Sequence, residues 1–252
     1  MIVVDRLTVS LGDRAVVNNV SFTLAPGRLI AIIGPNGAGK TSLIRALAGL
    51  IPSQAGMILI DGQPIGNIPP VERARRIGYL PQDGEPAWNL SAFELAALGR
   101  LPHHSRFSAP SADDDEAVFA ALSATDTSRF AARTIRTLSG GEKARVKMAR
   151  VLAGDPDWIL ADEPLANLDP PHQRDMLGLL RAAVELGKGA VAVLHQLDSA
   201  AIADDVLIMK GGELIGFGPA RNVLTPARLE TAFGMAFDII DHEGRIAILP
   251  CA

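Results

Sequence analysis

Residues 34–42 read Gly34-Pro35-Asn36-Gly37-Ala38-Gly39-Lys40-Thr41-Ser42. A glycine, four spacers and then Gly-Lys-Thr is the spacing of a phosphate-binding loop, and each residue type has a physical task. The glycines let successive backbone N–H groups turn inward toward phosphate oxygens. Lys40 supplies a cation for the β- and γ-phosphates, and the Thr41 hydroxyl can ligate Mg²⁺. A second group lies at Asp162-Glu163-Pro164. Phosphoryl transfer needs a carboxylate for the metal and a group that activates water. Asp162 is expected to hold Mg²⁺, and Glu163 to polarise the attacking water. A third group is Leu138-Ser139-Gly140-Gly141-Glu142. Ser139 with Glu142 three residues on reads as a capping box, and the two glycines leave backbone N–H groups exposed.

These groups need elements to aim them. The run 29–33 before the phosphate loop is apolar and isoleucine-rich, as a buried parallel strand should be. Residues 41–50 carry apolar side chains at Leu43, Ile44, Leu47 and Leu50, which is helical spacing. The phosphates would then sit at a helix N-terminus, where the dipole favours anions. The run 158–161 predicts a strand that delivers Asp162 and Glu163 at its C-terminal end, where α/β sheets bind ligands. Residues 1–24 alternate loosely around a turn at Gly12-Asp13-Arg14, so two or three antiparallel strands are expected before the phosphate loop. Further strands are expected at 56–60, 77–80, 190–194, 206–209 and 213–217, with helices at 69–76, 170–186 and 197–203. Between 88 and about 152 the pattern changes to helices and loops: a capped helix at 91–98, a Ser/Pro/Asp loop at 108–115, and helices at 116–124 and 143–153. The tail predicts two short helices and a hairpin turned at Glu243-Gly244.

Composition narrows the function. Of 252 residues, 48% are hydrophobic and 21% charged, an ordinary globular balance, and the formal net charge is −4. With no long basic run and few aromatics, no nucleic-acid partner is expected. The densest basic cluster, Arg73, Arg75 and Arg76, reads as a solvated helix face. The single cysteine, Cys251, excludes an intrachain disulfide framework. Asp5 and Arg6 argue against a signal peptide, and no apolar run reaches the ~20 residues of a membrane-spanning helix.

The order of these motifs resembles the ATP-binding-cassette (ABC) ATPases, and the resemblance covers nearly the whole chain. It implies an α/β fold of the P-loop NTPase, ABC type, with an N-terminal antiparallel β-subdomain and an inserted α-helical subdomain. Residues 1–252 are expected to form a single ABC ATPase domain. Within it, 1–87 and 153–218 would form the nucleotide-binding core, 88–152 the helical subdomain and 219–252 the tail. The cofactors implied are ATP and Mg²⁺. Gln82 matches the glutamine that contacts Mg²⁺ and the attacking water, and His195 the histidine that contacts the γ-phosphate. Leu168-Asp169 matches a loop that crosses the dimer interface. The family works as head-to-tail pairs, with ATP between the phosphate loop of one copy and the Ser139-Gly140-Gly141 segment of the other. The partners implied are a second ABC subunit, transmembrane permease subunits and, indirectly, a substrate-binding protein. That places the chain at the cytoplasmic face of a bacterial inner membrane. Ala97-Leu98-Gly99-Arg100-Leu101-Pro102-His103 and the tail around 222–234 resemble ATPases that serve ferric-siderophore, haem and cobalamin importers.

Three positions depart from the family pattern. Leu11-Gly12-Asp13 offers no aromatic to stack on adenine, so weak discrimination between ATP and GTP is expected. Gln196 follows His195 where an acid is common, with Asp198 nearby. Asn167 stands where a small residue is usual. Two other readings compete: a transporter of another small solute or metal ion, and a soluble ABC protein of DNA repair, translation or cofactor assembly. A P-loop kinase or GTPase would leave 138–142 unexplained.

Overall fold

A computed structural model describes residues 1–82, 89–104, 110–242 and 245–251. The expected insertion boundary at Trp88, residues 108–109 of the expected loop and the turn at Glu243-Gly244 lie outside the described residues.

The chain opens with the antiparallel hairpin β1 (Ile2–Leu11) and β2 (Arg14–Leu24). The loose alternation of β1 has a local cause. Register shifts between Val4 and Leu7, where Arg6 sits at φ 47°, and both Val4 and Leu7 stay buried. Then come β3 (Leu29–Ile33), α1 (Lys40–Leu47), β4 (Ala55–Ile60) and the short β5 (Gln63–Pro64). The N-terminal sheet runs β2-β1-β4-β5. Two antiparallel strands precede β3, the strand that leads into the phosphate loop, and β4 joins their sheet from beyond that loop.

The rest of the core is α2 (Pro70–Arg76), β6 (Ile77–Leu80), and, after the insertion, β7 (Trp158–Ala161), α6 (Pro170–Glu185), β8 (Gly189–Val193), α7 (Leu197–Ala200), β9 (Asp205–Lys210) and β10 (Glu213–Pro219). These strands and β3 form one sheet of order β10-β9-β3-β8-β7-β6. It is parallel except for β10, which pairs antiparallel with β9. Every residue of β3, β7 and β8 is buried. Alternate side chains serve opposite layers, which is why these strands read as unbroken apolar runs. Ile30, Ile32, Leu160 and Val191 meet α1 and the N-terminal sheet. Leu29, Ala31, Ile159 and Ala190 meet α6 and the tail, where α8 (Ala220–Val223), α9 (Pro226–Phe233) and the hairpin β11 (Phe237–His242) and β12 (Arg245–Pro250) add Val223, Leu229, Phe237 and Ile248.

The insertion holds α3 (Ala92–Ala97), α4 (Ala112–Ala124) and α5 (Gly140–Ala153), joined by 3-10 turns. Two expectations are corrected here. Residues 112–115, read as loop, form the first turn of α4. Ser111 and Asp114 make a capping box there, and three aspartates face the positive end of the helix dipole. Helix α5 starts at Gly140, not Lys143, because the Ser139/Glu142 box starts it and its two glycines lie inside the first turn. The basic cluster on α2 is not simply a solvated face. Arg73 donates to the Ile65 carbonyl and Arg75 to the Pro102 carbonyl, while Arg76 pairs with Glu72.

Candidate nucleotide-hydrolysis site

The phosphate loop leaves β3 and enters α1. Its shape depends on glycine at two places. Gly34 has φ 151° and Gly39 φ 97°. A Cβ on Gly34 would stand 2.2 Å from the Met209 carbonyl oxygen, and one on Gly39 2.1 Å from that of Val16. Either contact is closer than packed atoms allow, so the loop is clamped between β9 and β2. Helix α1 has no acidic residue in its first turn and no side-chain cap, which leaves its first N–H groups to an anion. Lys40 is 5% exposed, and its ammonium donates to the carbonyls of Gly34 at 2.8 Å and Pro35 at 3.0 Å. Burial lowers its pKa, against the opposing fields of Glu163 and Asp162. Pro35, Asn36, Gly37, Ala38 and Ser42 complete the loop. It borders an open cavity of about 420 Å³ that Leu11, Arg14, Val16 and Glu163 also line.

Strand β7 places its acids as expected. Asp162 is fully buried. Its Oδ1 accepts from the Thr41 hydroxyl at 3.1 Å and its Oδ2 from the Tyr79 hydroxyl at 3.1 Å. Burial raises its pKa, while the bonds from Thr41 and Tyr79 pull it down. A hydroxyl beside a carboxylate is an all-oxygen donor set, which suits Mg²⁺. Glu163 follows at φ 51°, in the left-handed region. Gln82 Nε2 donates to its Oε2 at 2.6 Å, and His195 Nε2 lies 2.7 Å from its Oε1. Residues brought to 82, 163 and 195 by three different strands therefore meet on one carboxylate.

The remaining expected residues lie elsewhere. Ser139 and Asp169 cap their own helices: Ser139 Oγ accepts from the Glu142 N–H, and Asp169 Oδ1 from the His172 N–H. Gly140 lines a second cavity, about 280 Å³, with Gln82 and Glu163. Gly141 packs on His172, whose ring would lie 2.3 Å from a Cβ at that position. Asp198 does not stand in for an acid after His195; it accepts from the Ile248 N–H of the tail hairpin. Asn167 has φ 59°, a conformation that asparagine tolerates better than most residues. Three contributors are missing from the sequence reading. Tyr79 and Arg45 stand on Asp162, and Arg14 borders the loop cavity. No motif marks them.

The sequence pattern of the ABC transporter family matches residues 17–166. The chain belongs to the ABC transporter family. Among relatives of this ABC subunit, a protein of Nocardia farcinica named hemin import ATP-binding protein HmuV is 40% identical over 99% of this chain and 87% of its own length. A protein of the same name from Pseudomonas fluorescens is 38% identical over 97% of each chain. The fold also matches a solved transporter described as metal-chelate type, in an inward-facing conformation. That match has a TM-score of 0.86 and 25% identity, over 100% of this chain and 97% of the other. A dimeric ATP-binding cassette bound to ADP and phosphate superposes with a TM-score of 0.75 at 27% identity, over 88% of this ABC chain and 99% of the other. The P-loop fold with a β-subdomain and an inserted helical subdomain is thereby shown, and the ABC subunit is an ATP-hydrolysing importer component. Among the described residues no helix is long and apolar enough to cross a membrane.

Proposed function

We propose that this ABC subunit hydrolyses Mg-ATP to energise uptake of haem or a related metal chelate through separate permease subunits. The observation that carries the catalytic part is the Glu163 carboxylate, held by Gln82 and His195 and bordering the same cavity as the phosphate loop. The loop N–H groups and Lys40 bind the phosphates, and Thr41, Asp162 and Gln82 would hold Mg²⁺. When bound, Mg²⁺ supplies positive charge that offsets charge on the phosphate oxygens. Glu163 takes a proton from water as that water's oxygen bonds to the γ-phosphorus. The bond from the γ-phosphorus to the bridging oxygen breaks, and ADP leaves. His195 contacts the γ-phosphate.

Each Glu163 oxygen has one partner in this structure, His195 on Oε1 and Gln82 on Oε2, and keeps a further lone pair for water. Closure of a head-to-tail pair would complete the site around that carboxylate. The amides of Gly140 and Gly141 begin α5, where the dipole favours an anion brought by a partner, while the Ser139 amide is held by Glu142, and Asp169 begins α6 beside them. The binding of a γ-phosphate across two copies favours the closed state, and its loss reopens it. The cargo reading is supported by full-length similarity to proteins named for hemin import and by segment 97–103. A substrate-binding protein would deliver the chelate, and the subunit would sit on the cytoplasmic side of a bacterial inner membrane.

The test is light scattering on Glu163→Gln with and without Mg-free ATP, followed by haem uptake into vesicles bearing the subunit and its permease. An ATP-dependent monomer-to-dimer shift and ATP-dependent haem uptake are expected. No dimer even with the permease present would overturn the paired site. Uptake of a ferric siderophore in place of haem would move the cargo within the chelate class.

A further inference from the structure

The two oxygens of the buried Asp162 carboxylate face different partners. Oδ1 accepts from Thr41 and Oδ2 from Tyr79, each at 3.1 Å. A neighbour fixes the direction of the second bond. Arg45 Nε donates to the same phenol oxygen at 3.4 Å, and a guanidinium offers no acceptor. The single phenol proton therefore goes to Asp162. Tyr79 is also held at its other atoms. Its carbonyl accepts from Arg150 of α5 at 2.9 Å, its main chain pairs with Leu160 of β7, and its ring packs on the apolar cluster beneath α1. A donor fixed at ring, main chain and hydroxyl restrains the carboxylate it touches.

We propose that Tyr79 is a positioning residue for the metal carboxylate. By holding Oδ2 it keeps Oδ1 on the Thr41 side. There the Thr41 hydroxyl, with its hydrogen directed at Oδ1, keeps its lone pairs for a divalent cation. This rests on the reading of Asp162 as the metal carboxylate. The ligand concerned is a hard, oxygen-preferring divalent ion accompanying nucleotide phosphates. Arg45 assists by leaving the phenol only one place to donate, and its own Nε lies 3.9 Å from Oδ2.

Tyr79→Phe keeps the ring and its packing and removes only the hydroxyl. The experiment follows binding of a fluorescent ATP analogue without divalent ions and then through a Mg²⁺ titration, in wild type, Tyr79→Phe and Asp162→Asn. In Tyr79→Phe the Mg-free affinity should be unchanged, while half-saturating Mg²⁺ rises about tenfold, the lower end of the range for a lost outer partner. Asp162→Asn should raise it further. Because the chain has one tyrosine, addition of Mg²⁺ to the wild-type ATP complex should also produce a near-ultraviolet tyrosine difference band belonging to Tyr79. An unshifted Mg²⁺ midpoint in Tyr79→Phe beside a shifted one in Asp162→Asn overturns the proposal and leaves the Asp162 reading standing. An unshifted midpoint in Asp162→Asn overturns both. An equal loss of Mg-free affinity in Tyr79→Phe means the hydroxyl is merely structural, and a wild-type protein without the tyrosine band contradicts the direct link.

Discussion

Strand β7 in the core and helix α5 in the insertion each present a chemical motif, and they are held in different ways. Strand β7 is buried at all four residues, with β6 and β8 bonded along its sides and apolar layers on both faces. Asp162 and Glu163 emerge from it with little freedom. Helix α5 begins at the surface. Its first residues depend on a serine cap and a reciprocal glutamate, and on the insertion side its apolar contacts divide between two small clusters. Helices α3 and α4 start with the same device. The core thus fixes its motif by burial on all sides, and the insertion fixes its own by bonds at helix ends. The acids that do chemistry need one geometry. A segment that must meet a partner needs an exposed helix end, which burial would hide.

The contrast can be tested at four points. Glu163→Gln should cut phosphate release about 10²–10⁴-fold, with ATP binding and the urea midpoint intact; an unchanged rate would place the base elsewhere. Leu160→Ala, in the fully buried strand, should cost about 2–5 kcal/mol in urea denaturation. A loss below ~1 kcal/mol would mean that β7 is not close-packed. Ser139→Ala should cost about 1 kcal/mol, read as faster amide exchange at the start of α5 with β3 and β7 unchanged. If exchange rises equally in those strands, insertion and core unfold together and the contrast fails. The smallest effect is acidification. Glu94, Asp114 and Glu142 all have lowered pKa values, chiefly because each carboxylate accepts from the backbone N–H of its cap serine. A lowered folded value gives stability that is present above the ordinary carboxylate range and is lost as pH falls through the folded values. Protection of the first turns of α3, α4 and α5, taken relative to the intrinsic exchange rate at each pH, should therefore fall as pH drops below that range, while β3 and β7 keep theirs.

The same contrast explains what could be read from sequence. Unbroken apolar runs located β3 and β7 to the residue, because a strand buried on both faces allows almost no polar side chain. The phosphate loop, Asp162 and Glu163 were legible because their chemistry demands those residue types at fixed spacing. The sequence reading starts α4 and α5 late: the Asp-rich stretch resembles a loop, and at α5 the two glycines read as a break although the Ser139/Glu142 box places them inside the first turn. The ring of contacts on Asp162 was not legible. Tyr79 lies 83 positions away in sequence, and only the pairing of β6 with β7 makes it a neighbour. Proximity in sequence left open whether Asp198 could serve as the acid after His195; the structure has it bonding the tail 50 positions on.

The clamp on the phosphate loop has a consequence for how far this sequence can drift. The atoms that press on positions 34 and 39 are the carbonyl oxygens of Met209 and Val16, which every amino acid carries. Side chains at 16 and 209 can therefore be exchanged for others of similar bulk without reshaping the loop, whereas neither glycine tolerates even a methyl group. Substitutions will accumulate around the loop but not at these two glycines. Relatives that differ from this chain at most positions can share its loop geometry, because the mould is made of backbone.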